Sequence, residues 1–114
     1  MRILVINDNA DLLELCQHVL ESRGHEVETT TDASAVTATV TRFQPDAIVL
    51  DWILEDRTGG DVLDELQRGL SMPPVLVMSS RDDVELDAKR RGARAFLRKP
   101  FVDSELVAAV EALN

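Results

Sequence analysis

Short apolar, β-branched runs alternate along this chain with longer stretches of helical period. The runs are Ile3–Ile6, Val27–Thr30, Ala47–Leu50, Val75–Met78 and Ala95–Leu97. Between the first two, Leu12, Leu13, Cys16, Val19 and Leu20 form one apolar stripe, and Gly24 offers a helix C′ position. A second helix is expected from Asp32 as N-cap through Val36, Val40 and Phe43, stopping before Pro45. The third follows Gly59-Gly60 with Leu63, Leu66 and Leu70, and the fourth runs from about Arg81-Asp82 through Val84 and Ala88 to Gly92. The fifth starts near Asp103 and buries Leu106, Val110 and Leu113. Five strands alternating with five helices predict an α/β fold, a doubly wound (βα)5 sandwich.

Parallel strands need crossover helices, and those crossovers are right-handed, so the helices cover both faces of the sheet. The runs Ile3–Ile6, Ala47–Leu50 and Val75–Met78 are apolar without a break, as befits strands buried on both faces. Glu26-Val27-Glu28-Thr29 alternates, and charge flanks the run Ala95–Leu97, as befits edges. The predicted five-stranded parallel sheet has the order 2-1-3-4-5, flavodoxin-like. Its ligand site falls at the carboxyl ends of strands 1 and 3, where the winding reverses.

Composition narrows the classes. The 114 residues suit one domain spanning 1–114, and no repeat or linker divides them. With 12 Lys+Arg against 21 Asp+Glu the net charge is -9, which argues against a nucleic-acid surface. The lone Cys16 excludes a disulfide framework and fits a reducing cytoplasm. No apolar run approaches the roughly 20 residues that span a bilayer, and the first run is too short for a signal-peptide core.

The strand ends carry the chemistry. Strand 1 leads into Asn7-Asp8-Asn9, strand 3 into Asp51, strand 4 into Ser79-Ser80, and strand 5 into Lys99-Pro100. Each has an ordinary reading alone: Asp8 as a helix N-cap, Asp51 as a turn former, Ser79 as a strand-end hydroxyl, Lys99 as an exposed turn. Together they deliver carboxylates, a hydroxyl and an ammonium to one rim. Asp8 and Asp51 there suit a hard cation such as Mg2+, which takes one or two carboxylates and keeps several waters. A carboxylate so screened can attack a phosphoryl group, with Lys99 and Ser79 on the oxygens of the attached group.

From Arg2 to Leu113 the sequence resembles the receiver domain of bacterial response regulators. The resemblance is carried by Ile3-Leu4-Val5-Ile6-Asn7-Asp8 and by Asp46-Ala47-Ile48-Val49-Leu50-Asp51 with Gly59 eight residues on. It continues in Pro74-Val75-Leu76-Val77-Met78-Ser79-Ser80, Gly92-Ala93 and Lys99-Pro100-Phe101. The resemblance implies two-component phosphorelay signalling, with Asp51 accepting a phosphoryl group from a histidine kinase or phosphotransfer protein. It implies Mg2+ (or Mn2+) on Asp8, Asp51 and the Ile53 backbone carbonyl, and Lys99 on the phosphoryl oxygens. Ser79 and Phe96 are implied as switch residues that re-aim the face of helix 4, strand 5 and helix 5 toward a downstream target or output domain. It further implies Mg-dependent self-phosphorylation and self-dephosphorylation without turnover of an external substrate. The acidic balance predicts no nucleic acid bound through this domain, composition a cytoplasmic protein, and the short apolar stripes of helices 4 and 5 a monomer that dimerises on phosphorylation if at all.

The departures from the family pattern are specific. Two adjacent acids normally follow strand 1, and here the first is Asn7. One missing charge beside the cation is worth about 1–3 kcal/mol, so Mg2+ should bind about tenfold or more weakly unless the Asn7 amide oxygen holds a metal-bound water. Glu55 replaces a usual Pro, loosening the loop or adding an acid, and Ser80 replaces a smaller residue where it could tune the lifetime of a phosphoaspartate. His18 and His25 read as surface imidazoles, Cys16 as a buried small hydrophobe, and Trp52 as a probe beside the acceptor. Asp82-Asp83 and Arg90-Arg91 read as complements to the ends of helix 4, the arginines with the option of facing a partner. Asn7 alone supports the rival reading, a phosphorylation-independent interaction module. A flavodoxin-type carrier is excluded because Asn7-Asp8-Asn9-Ala10-Asp11 would repel a flavin phosphate. A phosphohydrolase needing two Asp two apart after strand 1 finds Asn7 and Asn9.

Overall fold

A computed structural model describes residues 1–69 and 72–113. The strands are β1 (Arg2–Ile6), β2 (Glu26–Thr30), β3 (Ala47–Asp51), β4 (Val75–Ser79) and β5 (Ala95–Arg98). They form one parallel sheet in the order β2-β1-β3-β4-β5. The helices are α1 (Ala10–Glu21), α2 (Val36–Phe43), α3 (Gly59–Gln67), α4 (Val84–Arg90) and α5 (Asp103–Glu111). The predicted order, centre and edges hold: β1, β3 and β4 are buried apart from Arg2, while β2 and β5 are half-exposed.

Strand period divides the core between two faces. Ile3, Val5, Ala47, Val49, Leu76 and Met78 point to one side, under Leu13, Cys16 and Leu20 of α1 and Leu106 and Val110 of α5. Leu4, Ile6, Ile48, Leu50, Val75 and Val77 point to the other, against Val36 of α2, Val62 and Leu63 of α3 and Val84 and Ala88 of α4. Phe96 is half-buried on this second side.

Several local expectations change. Helix α3 begins at Gly59 rather than after Gly60, because Thr58 caps it reciprocally with Asp61: Thr58 Oγ1 accepts from Asp61 N–H at 3.2 Å, and Asp61 Oδ2 from Thr58 N–H at 3.0 Å. Asp32 caps a short 3-10 turn, Ala33–Ala35, that precedes α2. Helix α1 ends at Ser22, so Gly24 takes its positive φ two residues beyond the cap. Asp82 and Asp83 do stand at the amino end of α4, without a side-chain cap bond, and they pair there with Arg98 and Arg81 at 2.8 and 2.6 Å. Leu70, expected on the third stripe, lies outside the described residues. His25 is no surface imidazole: its side chain is 11% exposed, and its Nε2 lies 3.0 Å from Glu111 Oε2.

Candidate functional site

The site assembles where β1 and β3 end side by side. Ile6 is in register with Leu50, so the next residues, Asn7 and Asp51, are lateral neighbours on the α1 and α5 face of the sheet. Both are buried, Asn7 at 1% and Asp51 at 5% exposed. Asp51 is the last residue of its strand, and its backbone is held tightly. Trp52 N–H donates to Met78 carbonyl at 3.0 Å, and Gly59 N–H to Trp52 carbonyl at 2.6 Å. A Cβ on Gly59 would stand 2.8 Å from the Asp51 carbonyl oxygen, so this approach requires glycine. A Cβ on Gly60 would meet Arg91 Nη1 at 2.6 Å and the Trp52 ring at 2.9 Å. Trp52 is therefore buried beneath the start of α3. Arg91 crosses the same place to reach Asp64 of α3 and Asp87 of α4.

Lys99 supplies the countercharge. Its Nζ is 2.5 Å from Asp51 Oδ1, and its backbone N–H donates to Ser79 carbonyl at 2.9 Å, tying the ends of β4 and β5 together. The Lys99-Pro100 peptide is cis. Burial pushes the Asp51 carboxyl up from the ordinary range, and the nearby charge of Asp8 adds to this. Lys99 opposes both by hydrogen bond and charge, and the Ile53 N–H contributes in the same sense. With one ammonium on one of its oxygens, the buried carboxylate has its other oxygen to offer.

Asp8 is exposed, and Asn9 rather than Asp8 caps α1: Asn9 Oδ1 accepts from Asp11 N–H at 3.0 Å and Leu12 N–H at 3.2 Å. The Asp8 carboxylate is thereby spared for the rim. Among the described residues no group of three His, Cys, Asp or Glu converges, but Mg2+ needs only one or two carboxylates, and Asp8 with Asp51 fits that donor set. Asn7 fits it less well. Its Oδ1 already accepts from Asn9 N–H at 2.9 Å, and its Nδ2 is buried with no acceptor among the described residues. Ser79 is 2% exposed and its Oγ accepts from Arg81 N–H at 3.1 Å. Ser79 and Phe96 belong to the α2–α4 face, since Val77 is in register with Phe96 and Ser79 follows two residues on. Ile53 is exposed and bridges Thr58, closing the loop after Asp51.

The profile of the response regulator receiver domain matches residues 3–111, and the chain belongs to that family. The transcriptional regulatory protein PrrA of Mycobacterium tuberculosis is 38% identical over 114 residues, 98% of this chain and 49% of that protein. The response regulator MprA of Mycobacterium leprae is 36% identical over 118 residues, 99% of this chain and 50% of that protein. The chain thus spans about half the length of these relatives. The receiver domain of NtrX from Brucella abortus superposes with a TM-score of 0.89 at 31% identity, covering 97% of this chain and 96% of that one. The chemotaxis response regulator CheY4 of Vibrio cholerae shares the fold, with a TM-score of 0.91 at 22% identity over 99% and 98% of the two chains. Receiver domains of two-component systems are regulatory parts that work by phosphorelay rather than enzymes that turn over a substrate. Among the described residues no helix is long and apolar enough to cross a membrane.

Sequence reasoning missed the Thr58 capping box, although Thr58 followed three residues on by Asp61 is its ordinary signature. It also missed the approach of the Arg91 and Trp52 side chains to Gly60. That contact joins residues far apart in the chain, and no local pattern marks it.

Proposed function

We propose that residues 1–114 act as a receiver in which Asp51 is the phosphoacceptor, charged by a histidine kinase or phosphotransfer protein. The observation that carries this reading is the buried Asp51 carboxylate, on a glycine-seated strand end, paired at 2.5 Å with Lys99. The free oxygen of Asp51 attacks phosphorus as the bond from phosphorus to the donor's imidazole nitrogen breaks, and the imidazole, protonated on its other ring nitrogen, leaves neutral. The product is an acyl phosphate on Asp51. Asp8, Asp51 and the Ile53 carbonyl would hold Mg2+ (or Mn2+), which supplies positive charge against the phosphoryl oxygens. Lys99 re-pairs from the carboxylate to a phosphoryl oxygen.

The switch follows from the new acceptors. Ser79 Oγ, resting on Arg81 N–H, turns to a phosphoryl oxygen, and Phe96 moves further into the α4 side of the core. The α4–β5–α5 face then favours its signalling arrangement, read by a downstream target or an output domain. Self-phosphorylation from small phosphodonors and self-dephosphorylation by water complete the cycle, and the working state is a cytoplasmic monomer that dimerises, if at all, when phosphorylated. The acidic balance of -9 supports no role for this domain in touching nucleic acid. Asn7 is the observation behind a second reading, an interaction module indifferent to phosphorylation.

Intact mass after incubation with phosphoramidate and excess Mg2+, beside Asp51→Asn, separates the two. One phosphoryl group gained by the parent and none by the variant is the expected result. No gain at any Mg2+ concentration would leave the interaction module as the reading.

A further inference from the structure

Asn7 stands one register step from Asp51, on the same face of the sheet, and only 1% of it is exposed. Its amide is oriented by the chain itself. Oδ1 accepts the Asn9 N–H at 2.9 Å, and reversing the amide would set an N–H2 against that N–H. The nitrogen is thus fixed as the group facing away from the α1 turn, and it is a buried donor with no acceptor among the described residues. A buried donor without a partner costs the folded protein free energy that an incoming acceptor recovers. A divalent cation cannot be that acceptor, since the N–H hydrogens carry partial positive charge. An oxygen of an anion attached to Asp51 can.

We infer that Asn7 is an oxyanion-recognition residue of this receiver, whose Nδ2 donates to an oxygen of the phosphoryl group carried by Asp51. This rests on the reading of Asp51 as the acceptor. In place of a second acid, the rim then holds Asp8 and Asp51 against Lys99, and an arriving anion meets one fewer negative charge and one more donor. Part of the oxyanion's stabilisation comes from Asn7, and dependence on a divalent cation falls accordingly. The roles of positions 7 and 8 divide: Asp8 remains the residue for the cation, and Asn7 serves the anion.

The test uses beryllium fluoride, whose BeF3 group takes an oxygen of the Asp51 carboxylate as its fourth ligand and presents fluorines where phosphoryl oxygens would lie. Binding is followed by fluorescence of Trp52, which adjoins Asp51 and is 7% exposed, in EDTA and in saturating Mg2+. The parent should bind in EDTA. Asn7→Leu, similar in size without the donor, should lose about tenfold or more of that metal-free affinity. Asn7→Asp should lose it too, and should gain about tenfold more from Mg2+ than the parent does. Asn7→Ala is measured beside Asn7→Leu, so that a folding defect in either is recognised from far-UV circular dichroism. Equal metal-free binding by the parent and the folded donor-less variant overturns the inference. So does a parent that binds only with Mg2+, or an Asn7→Asp protein no more metal-dependent than the parent. Failure of the acceptor reading shows separately, as a parent that binds beryllium fluoride without loss in Asp51→Asn or gains no phosphoryl mass.

Discussion

At the amino ends of the strands the polar groups stitch the fold together. Arg2 donates to the Phe43 carbonyl at 2.6 and 3.0 Å, stacks over the Phe43 ring and pairs with Glu26, while Asp46 accepts the Arg2 N–H at 2.7 Å. His25 sits between the Met1 amine and Glu111, which Arg23 also reaches. These groups answer one another, and most are open to water. At the carboxyl ends the arrangement is reversed. Among the described residues Asp51 is buried with one cation, Lys99, Asn7 keeps a buried donor without an acceptor, and Gly59 presses against the Asp51 carbonyl. Both ends belong to the same sheet, so parallel strand geometry does not cause the difference. What separates them is that one end is satisfied from within and the other is completed by something that arrives. Local free energy given up at a rim of this kind is the usual mark of a working site.

The largest expected effect comes from two glycines. Gly59→Ala should cost about 3 kcal/mol, because its methyl would meet backbone that cannot move without shifting Asp51. Gly24→Ala, at the other end, has open space around the new Cβ and a φ of 87°, so its cost is the conformational one, about 1 kcal/mol. Urea unfolding of both variants checks the ranking. A Gly59→Ala protein no less stable than Gly24→Ala would break the contrast between a crowded rim and an open turn.

Next in size is the pair that occupies the rim. Lys99→Met removes the ammonium and leaves the Asp51 carboxylate buried without its partner, which should cost about 2 kcal/mol at neutral pH. Asp51→Asn in the Lys99→Met background should recover most of that loss, since the uncompensated charge is then gone. The cycle isolates the coupling between the two residues, and independent effects would mean that the Lys99 ammonium does not compensate the Asp51 charge.

Much of this architecture was legible because four of the strands carry β-branched residues and each apolar run, Ala95–Leu97 included, stands apart from the helical stretches beside it. Asp51 and Ser79 extend β3 and β4 by one residue beyond the apolar run, since the parallel ladder continues to the rim regardless of polarity. The rim residues were legible as a set, because the topology brings strand ends together. Their states were not. That Asn9 and not Asp8 caps α1 follows from backbone geometry that both residue types tolerate. The direction of the Asn7 amide depends on one N–H two residues on. His25 was misread because its partner Glu111 lies 86 residues away, with nothing local to announce it. Long-range pairing of side chains was the part no periodicity encodes.

The smallest effect discriminates most finely, because it depends on sign. Burial raises the Asp51 carboxyl above its ordinary 3.8, so the ionised form is disfavoured by folding. That penalty is fully present above the raised value and is relieved as pH falls through it toward 3.8. Asp51→Asn should therefore stabilise the protein at neutral pH, with the gain vanishing as the solution is acidified through that window. Glu65 is the opposite case. Hydrogen bonds from Thr37 Oγ1 at 2.5 Å and Arg57 Nη1 at 2.8 Å hold it below its ordinary 4.5. Its contribution is present above 4.5 and lost as pH falls through the lowered value, so Glu65→Gln should destabilise at neutral pH and converge on the parent in acid. Thermal midpoints of the three proteins between neutral pH and the acid side of both windows test this directly. Curves that approach the parent from above for Asp51→Asn and from below for Glu65→Gln would establish that one carboxylate serves the site and the other the scaffold. Two curves on the same side would mean that Lys99 offsets the burial of Asp51 in full, and that this rim is no more strained than the rest of the molecule.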